Sequence, residues 1–172
     1  MLPSLRHPRA IPALLVAACL GALGTALASQ YWGGLYPCVL CIYQRYAYGV
    51  AMALAAFAFI FSASPLGRRL FLLGSGLGFL AGSAIAVFHV GVENKWWQGT
   101  AECQAPALPE NATVDQLRDI LLNQPFAPCD KVPWDLFGIS IAGYNVLASV
   151  LLAALSFWAA SRNTTPTRGS AR

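Results

Sequence analysis

Four long apolar runs set the pattern of the chain, at roughly Ile11–Ala28, Ile42–Phe61, Leu70–Val92 and Phe137–Ala160. A helix rises about 1.5 Å per residue, so about 20 residues cross a ~30 Å hydrocarbon core. Each run is close to that length. The first three are rich in Gly and Ala, and the fourth also carries small residues. Small residues let membrane helices approach closely. Four helices apolar on every side would leave too little polar surface to cover them in water. The pattern therefore predicts an all-α membrane protein, a four-transmembrane-helix bundle forming a single domain over residues 1–172. The polar stretches between the runs become loops at 31–41 and 93–136, a link at 62–69, and a disordered tail at 162–172.

Composition agrees. Of 172 residues, 57% are hydrophobic and 10% are charged, where a soluble domain carries about a quarter. A disordered chain is excluded. The net charge of +4 is too small to indicate a nucleic-acid binder. The distribution is more informative. All the acids, Glu93, Glu102, Glu110, Asp115, Asp119, Asp130 and Asp135, fall between residues 93 and 135. Arg6, His7 and Arg9 precede the first run, Arg68 and Arg69 lie in the 62–69 link, and Arg162, Arg168 and Arg172 follow the last run. The positive-inside rule places those three basic regions in the cytoplasm. Both termini are then inside, and the loops 31–41 and 93–136 are outside. Ala26-Leu27-Ala28 before Ser29 resembles a signal cleavage site, and Val16-Ala17-Ala18-Cys19 resembles a lipoprotein box. The run is long for a signal, and its loss would remove one helix of four, so it is read as a retained span.

The 93–136 segment holds Pro106, Pro109, Pro125, Pro128 and Pro133, which predicts mostly irregular chain. One short helix is expected at Thr113-Val114-Asp115-Gln116, a capping box with Thr113 as N-cap. Val114, Leu117 and Leu121 would share its apolar face. Trp96, Trp97 and Trp134 flank the adjoining runs, where Trp commonly anchors the membrane interface.

Candidate chemistry rests on five cysteines. Cys19 lies inside the first run and reads as a small buried hydrophobe. Cys38, Cys41, Cys103 and Cys129 all fall on the outer side, which in a bacterial inner membrane is oxidising. Cys38-Val39-Leu40-Cys41 is a Cys-x-x-Cys, a motif of redox and metal sites alike. Pro37 precedes it, and the second helix starts there. A thiol in a first helical turn sees the positive end of the helix dipole. Arg45 follows Cys41 by one turn on the same face, where a guanidinium would stabilise a Cys41 thiolate. If Cys103 and Cys129 pair, they close a loop of roughly 27 residues, and the crosslink contributes ~3.5 kcal/mol in the chain-entropy view. Such a pair is a staple on a loop, or a redox pair that exchanges disulfides with the first. Four thiols could alternatively hold zinc or copper(I), although structural zinc sites favour two close pairs and the second pair is widely spaced.

The sequence resembles the DsbB family of disulfide-forming membrane proteins over nearly its whole length. The resemblance is carried by Pro37-Cys38-Val39-Leu40-Cys41-Ile42-Tyr43-Gln44-Arg45, by four spans with cysteines in both outer loops, and by Cys129 followed by Trp134-Asp135-Leu136-Phe137-Gly138. It implies a thiol oxidase of the bacterial inner membrane that reoxidises a periplasmic, thioredoxin-fold DsbA-like partner and passes electrons to ubiquinone or menaquinone. In that implied relay the partner attacks Cys103 of a Cys103–Cys129 disulfide, and the released Cys129 attacks Cys38. Cys41 is left as a thiolate beside the quinone, with Arg45 stabilising it and orienting the quinone as a cofactor-binding residue. Gln44 stands where some members have Glu, and His89 matches a His thought to lie near the quinone in some members. Both are therefore candidate quinone-binding residues. Glu93 with Trp96-Trp97 resembles a pattern in part of the family and receives no role. Rival readings are a vitamin K epoxide reductase-like enzyme or an oxidase with a dedicated partner, and a Cys-ligated metal-binding membrane protein.

Overall fold

The computed structural model describes residues 7–103, 113–115, 118 and 127–162. Four helices, α1 (Ala10–Tyr31), α2 (Val39–Ile60), α3 (Pro65–Glu93) and α4 (Ile141–Ser161), are each long and apolar enough to cross a membrane. The protein is an all-α, four-helix membrane bundle. α3 packs along both α2 and α4, and α1 lies against α2.

Small residues make those contacts possible. Ala51, Ala55 and Ala58 of α2 are fully buried. A Cβ on Gly78 would come 3.2 Å from the Ala51 side chain, and one on Gly82 the same distance from Ala47. Gly76 lies under the Phe157 ring, where a Cβ would meet it at 2.7 Å. Ser75 Oγ donates to the Ala51 carbonyl across the α2–α3 seam. Larger side chains such as Leu20, Val50, Ile60, Leu77 and Leu151 point outward. Small residues inside and large apolar ones outside suit a bundle whose outer solvent is lipid.

Local chemistry sets the helix starts. Ser64 caps α3 by accepting from the Gly67 N–H, with Pro65 in the first turn. Ser140 caps α4 in the same way through Gly143. At the end away from the cysteines, Arg9 Nε donates to Ser62 Oγ and its guanidinium lies over the Phe59 ring. Arg162 stacks on Trp158.

Three boundaries differ from the sequence expectation. α2 begins at Val39 rather than residue 42, so Cys41 lies within its first turn. α3 begins at Pro65 and takes Arg68 and Arg69 into the helix, with Arg68 buried. An apolar window misses a helical turn that carries polar residues. The apolar run predicts a fourth span from Phe137, but α4 starts at Ile141. Two short antiparallel strands precede it, β1 (Asp135–Leu136) and β2 (Ile139–Ser140). Phe137 (φ 52°) and Gly138 (φ 75°) turn this hairpin. Two successive left-handed residues suit a two-residue hairpin turn and cannot continue a helix.

In the long segment, Ala101–Cys103 form a 3-10 turn, and Val114, Asp115 and Arg118 are helical. Gln116, Leu117 and Leu121 of the expected capping box and apolar face lie outside the described residues, as does the tail from 163 onward.

Candidate functional site

The N-terminus of α2 builds the first half of the site. Cys38 is the N-cap, and its Sγ accepts from the Cys41 N–H at 3.2 Å. That cap folds the Cys-x-x-Cys back on itself and brings the two sulfurs to 2.9 Å, with Cys38 donating to Cys41. Both are free thiols. The hydrogen bond to Cys41, followed by burial, pushes the Cys38 thiol well above the usual range. The proton of the pair therefore belongs on Cys38, and Cys41 is the sulfur suited to be a thiolate. Cys41 is half-buried while Cys38 is buried. Arg45, one turn on, donates from Nη1 to Gln30 Oε1 and from Nη2 to the Ala26 carbonyl, tying α2 to α1. It remains within electrostatic reach of Cys41.

The second half comes from the long segment. Cys103 and Cys129 form a disulfide with a Cα–Cα distance of 5.0 Å. Cys129 N–H donates to the Cys103 carbonyl, and Ala127 N–H donates to the Pro37 carbonyl in a parallel bridge alongside Cys38. Tyr43 OH donates to Glu102 Oε2 next to Cys103. Trp97 stacks on Phe88 and donates from Nε1 to its carbonyl. The indole occupies the space over Gly91, and any Cβ there would overlap it. These contacts press the segment onto the helix ends. Cys38, Cys103 and Cys129 share one buried apolar cluster with Val39, Leu40 and Val92, and Cys41, Ile85 and Phe88 pack against it. Both pairs are thus in one place, although 62 positions separate Cys41 from Cys103.

Both residues of the disulfide are buried, Cys129 at 0% and Cys103 at 5% exposure, and Cys103 also lines an open cavity of about 670 Å³ together with Trp96, Trp97, Lys95 and Lys131.

A buried polar network lies beneath the cysteines. Asn145 of α4 hydrogen-bonds Gln44 Oε1, and Gln44 Nε2 lies 3.1 Å from His89 Nδ1. His89 Nε2 is 3.5 Å from Cys38 Sγ and 3.8 Å from Glu93 Oε1. Ser140 Oγ donates to Glu93 Oε2. Ser149 Oγ is within hydrogen-bonding distance of both Asn145 Oδ1 and Tyr48 OH. Gln44 and His89 are therefore brought together, facing the bundle interior, while Arg45 faces α1. Sequence reading missed Asn145, Ser140 and a role for Glu93. The available signal was a polar amide inside an otherwise apolar span.

Cys38, Cys41 and His89 place their donor atoms within 4.8 Å of one another, close enough to share an ion. The four-thiol metal site considered from the sequence is not assembled, because Cys103 and Cys129 are bonded to each other. Cys19 is buried in the bundle core, away from this cluster.

Comparisons with known proteins agree with this geometry. The family model described as "Disulfide bond formation protein DsbB" matches residues 8–159. The chain is 34% identical over 164 residues to a "Disulfide bond formation protein B" of Saccharophagus degradans, covering 91% of this chain and 93% of that protein. It is likewise 34% identical over 155 residues to a protein of the same name from Aromatoleum aromaticum, covering 86% and 89%. An "Uncharacterized protein RP370" of Rickettsia prowazekii is 25% identical over 140 residues, covering 81% and 80%. No solved structure matches the chain. Two cysteine pairs in one cluster at the end of four membrane helices, and a family match over most of the chain, lead to one conclusion: this chain belongs to the DsbB family, multi-pass inner-membrane oxidoreductases that act on thiols in disulfide bond formation.

Proposed function

We propose that the protein reoxidises a periplasmic DsbA-like thiol protein and passes the electrons to a membrane quinone, with Cys103–Cys129 as the outer pair and Cys38–Cys41 as the inner pair. The carrying observation is that Cys129 and Cys38 share one buried cluster, with Ala127, two residues before Cys129, bridged to Cys38. A partner thiolate attacks Cys103, the sulfur beside the open cavity. A partner–Cys103 bond forms, the Cys103–Cys129 bond breaks, and the electron pair leaves on Cys129. Cys129 then attacks Cys38 of the oxidised inner pair. The Cys129–Cys38 bond forms, the Cys38–Cys41 bond breaks, and Cys41 leaves as the thiolate. The second partner thiol attacks the partner–Cys103 bond and leaves as the partner disulfide. Cys103 then attacks Cys129, which restores the outer disulfide and returns Cys38 as a thiol. The outer disulfide with two inner thiols is the state that remains.

Exchange favours a leaving group of low proton affinity. The cap geometry supports Cys41 in that part, because the helix dipole favours negative charge in the first turn of α2 and Arg45 lies one turn away. A bound quinone would supply an acceptor for two electrons and two protons, and the Cys38 and Cys41 thiols that give them up would close the inner disulfide again. The half-buried Cys41 and the cationic Arg45 at the outer end of α2 fit such an acceptor, ubiquinone or menaquinone. Arg45 is held in place by Gln30 and the Ala26 carbonyl. His89 and Gln44 lie on the inner side of the pair, which supports them as groups that support Cys38. The basic residues at the opposite end of the bundle support a cytoplasmic location for both termini and a periplasmic one for the cysteines.

The test is a quinone-reduction assay with purified protein, reduced DsbA-like partner and either quinone. Turnover with wild type and its loss in Cys41→Ser are expected. Wild-type rates in Cys41→Ser contradict the proposal.

A further inference from the structure

We propose that the reduced inner pair and His89 form a binding site for one thiophilic divalent cation of the zinc class, held by Cys38 Sγ, Cys41 Sγ and His89 Nε2. The inference goes beyond the proposed exchange. It needs only the two free thiols that the structure holds, whatever acceptor later oxidises them.

Two sulfurs and one imidazole nitrogen converge within 4.8 Å of one another. They come from the start of α2 and the outer end of α3, two helices packed together. Cys38 Sγ is 3.5 Å from His89 Nε2. Sulfur and nitrogen on one tetrahedral zinc stand ~3.6 Å apart, given bonds of ~2.3 and ~2.1 Å. The two sulfurs are 2.9 Å apart, and two thiolates on one zinc need ~3.8 Å. A rotation of the half-buried Cys41 side chain supplies the difference, while the Cys41 N–H keeps Cys38 Sγ in place. Cys38 and His89 are 5% and 4% exposed, so the ion lies in the apolar cluster with Val39, Leu40 and Val92. In such surroundings two thiolates cancel a divalent charge, whereas a monovalent ion leaves a net negative charge buried. Glu93 Oε1 lies 3.8 Å from the same nitrogen, an oxygen donor beside the fourth position.

A ligating histidine needs a partner at its other nitrogen. Gln44 provides one, 3.1 Å from His89 Nδ1. Coordination through Nε2 puts the ring hydrogen on Nδ1, which then donates to Gln44 Oε1 once that amide turns over. Gln44 Nε2 in turn donates to Asn145 Oδ1, and Asn145 Nδ2 to Ser149 Oγ. Each of these three contacts is present with the donor on the other side, and the Ser149 hydroxyl still donates to Tyr48 OH. The buried network thus accepts a metal-bound His89 without orphaning a polar group. In the binding step two metal–sulfur bonds and one metal–nitrogen bond form, and both thiols release their protons to water. No electron moves, so no oxidant or reductant is needed. The ion occupies both sulfurs and keeps the inner pair from closing until it leaves.

The test uses the full-length Cys103→Ser/Cys129→Ser chain in nanodiscs, in which Cys19, Cys38 and Cys41 are the remaining thiols. Reduced with a phosphine, freed of it and titrated with Co²⁺ alone, it should bind one ion per chain with thiolate-to-cobalt charge-transfer absorption. One equivalent of Zn²⁺ should abolish that signal. His89→Phe in this chain should weaken Co²⁺ binding at least about 100-fold, and Gln44→Leu about tenfold. The same chain with its inner disulfide closed by diamide should give no such absorption. Fully reduced wild type should also show it, so its absence there overturns the proposal whether or not any variant folds. Charge-transfer absorption that persists after diamide overturns it as well, and so does an unaltered Co²⁺ affinity in His89→Phe. Failure of wild type to reduce quinone would instead count against the proposed function, since metal binding is read without quinone or partner.

Discussion

The two cysteine pairs are built in opposite ways. The inner pair is a local structure. Cys38 caps α2, Cys41 sits in the first turn, and the sulfurs meet because three residues of helix bring them together. The outer pair is a tertiary structure. Cys103 and Cys129 are 26 positions apart and depend on a disulfide, a bridge to Pro37 and the Trp97 indole lodged over Gly91. Local structure fixes the proton arrangement between two thiols at once. Tertiary docking leaves a pair that can respond to a partner. In the proposed relay a helix cap suits the sulfur that leaves, and a docked loop suits the sulfur that the partner attacks.

Removing one pair at a time breaks this comparison most sharply. Cys103→Ser/Cys129→Ser is expected to abolish partner oxidation, a loss of at least about 1000-fold in rate. Oxidation of dithiothreitol through the inner pair should persist, measured as quinone consumption. Equal loss of both activities would show that the pairs are not separable.

Differential alkylation sharpens the claim about the inner pair. In reduced protein at neutral pH, iodoacetamide should label Cys41 about ten times faster than Cys38, read by peptide mass spectrometry, because the thiolate is the nucleophile. The expectation follows from the raised proton affinity of Cys38 and its burial. Equal labelling rates would remove the basis for choosing Cys41.

Displacing Trp97 probes the docking of the outer pair alone. Gly91→Val forces a side chain into the indole and should lower partner oxidation by about 5–10-fold while sparing the dithiothreitol activity. An unchanged partner rate would mean that the indole does not hold the loop. The smallest effect is expected away from both pairs. Phe137 adopts a left-handed conformation and is 91% exposed. Phe137→Gly should therefore raise stability by up to about 1 kcal/mol without changing either activity, measured by thermal unfolding in detergent.

The legibility of the molecule follows the same division. The four spans were readable because an apolar run of about 20 residues reports its environment directly. Their starts were less so, since Arg68 and Arg69 belong to a helix whose first turn is polar, and Phe137 to a hairpin no apolar window detects. The Cys38–Cys41–Arg45 spacing was readable because helix geometry relates neighbours in sequence. The Asn145–Gln44 bond joins residues 101 positions apart, and the Glu93–Ser140 bond spans 47. Nothing in either local sequence names its partner. The acids crowded between 93 and 135 also divide on inspection, since Glu93 turns inward to Ser140 and His89 while Glu102 bonds Tyr43 near Cys103.

The central claim is that Cys129 delivers electrons to Cys38. A Cys41→Ser/Cys103→Ser chain leaves those two sulfurs without their usual mates, in the cluster that already holds them together. Purified from an oxidising compartment and digested under non-reducing conditions, it should yield a Cys38–Cys129 crosslinked peptide as the dominant species. Two free thiols in its place, or Cys129 joined to Cys19 or to a second chain, would contradict the account.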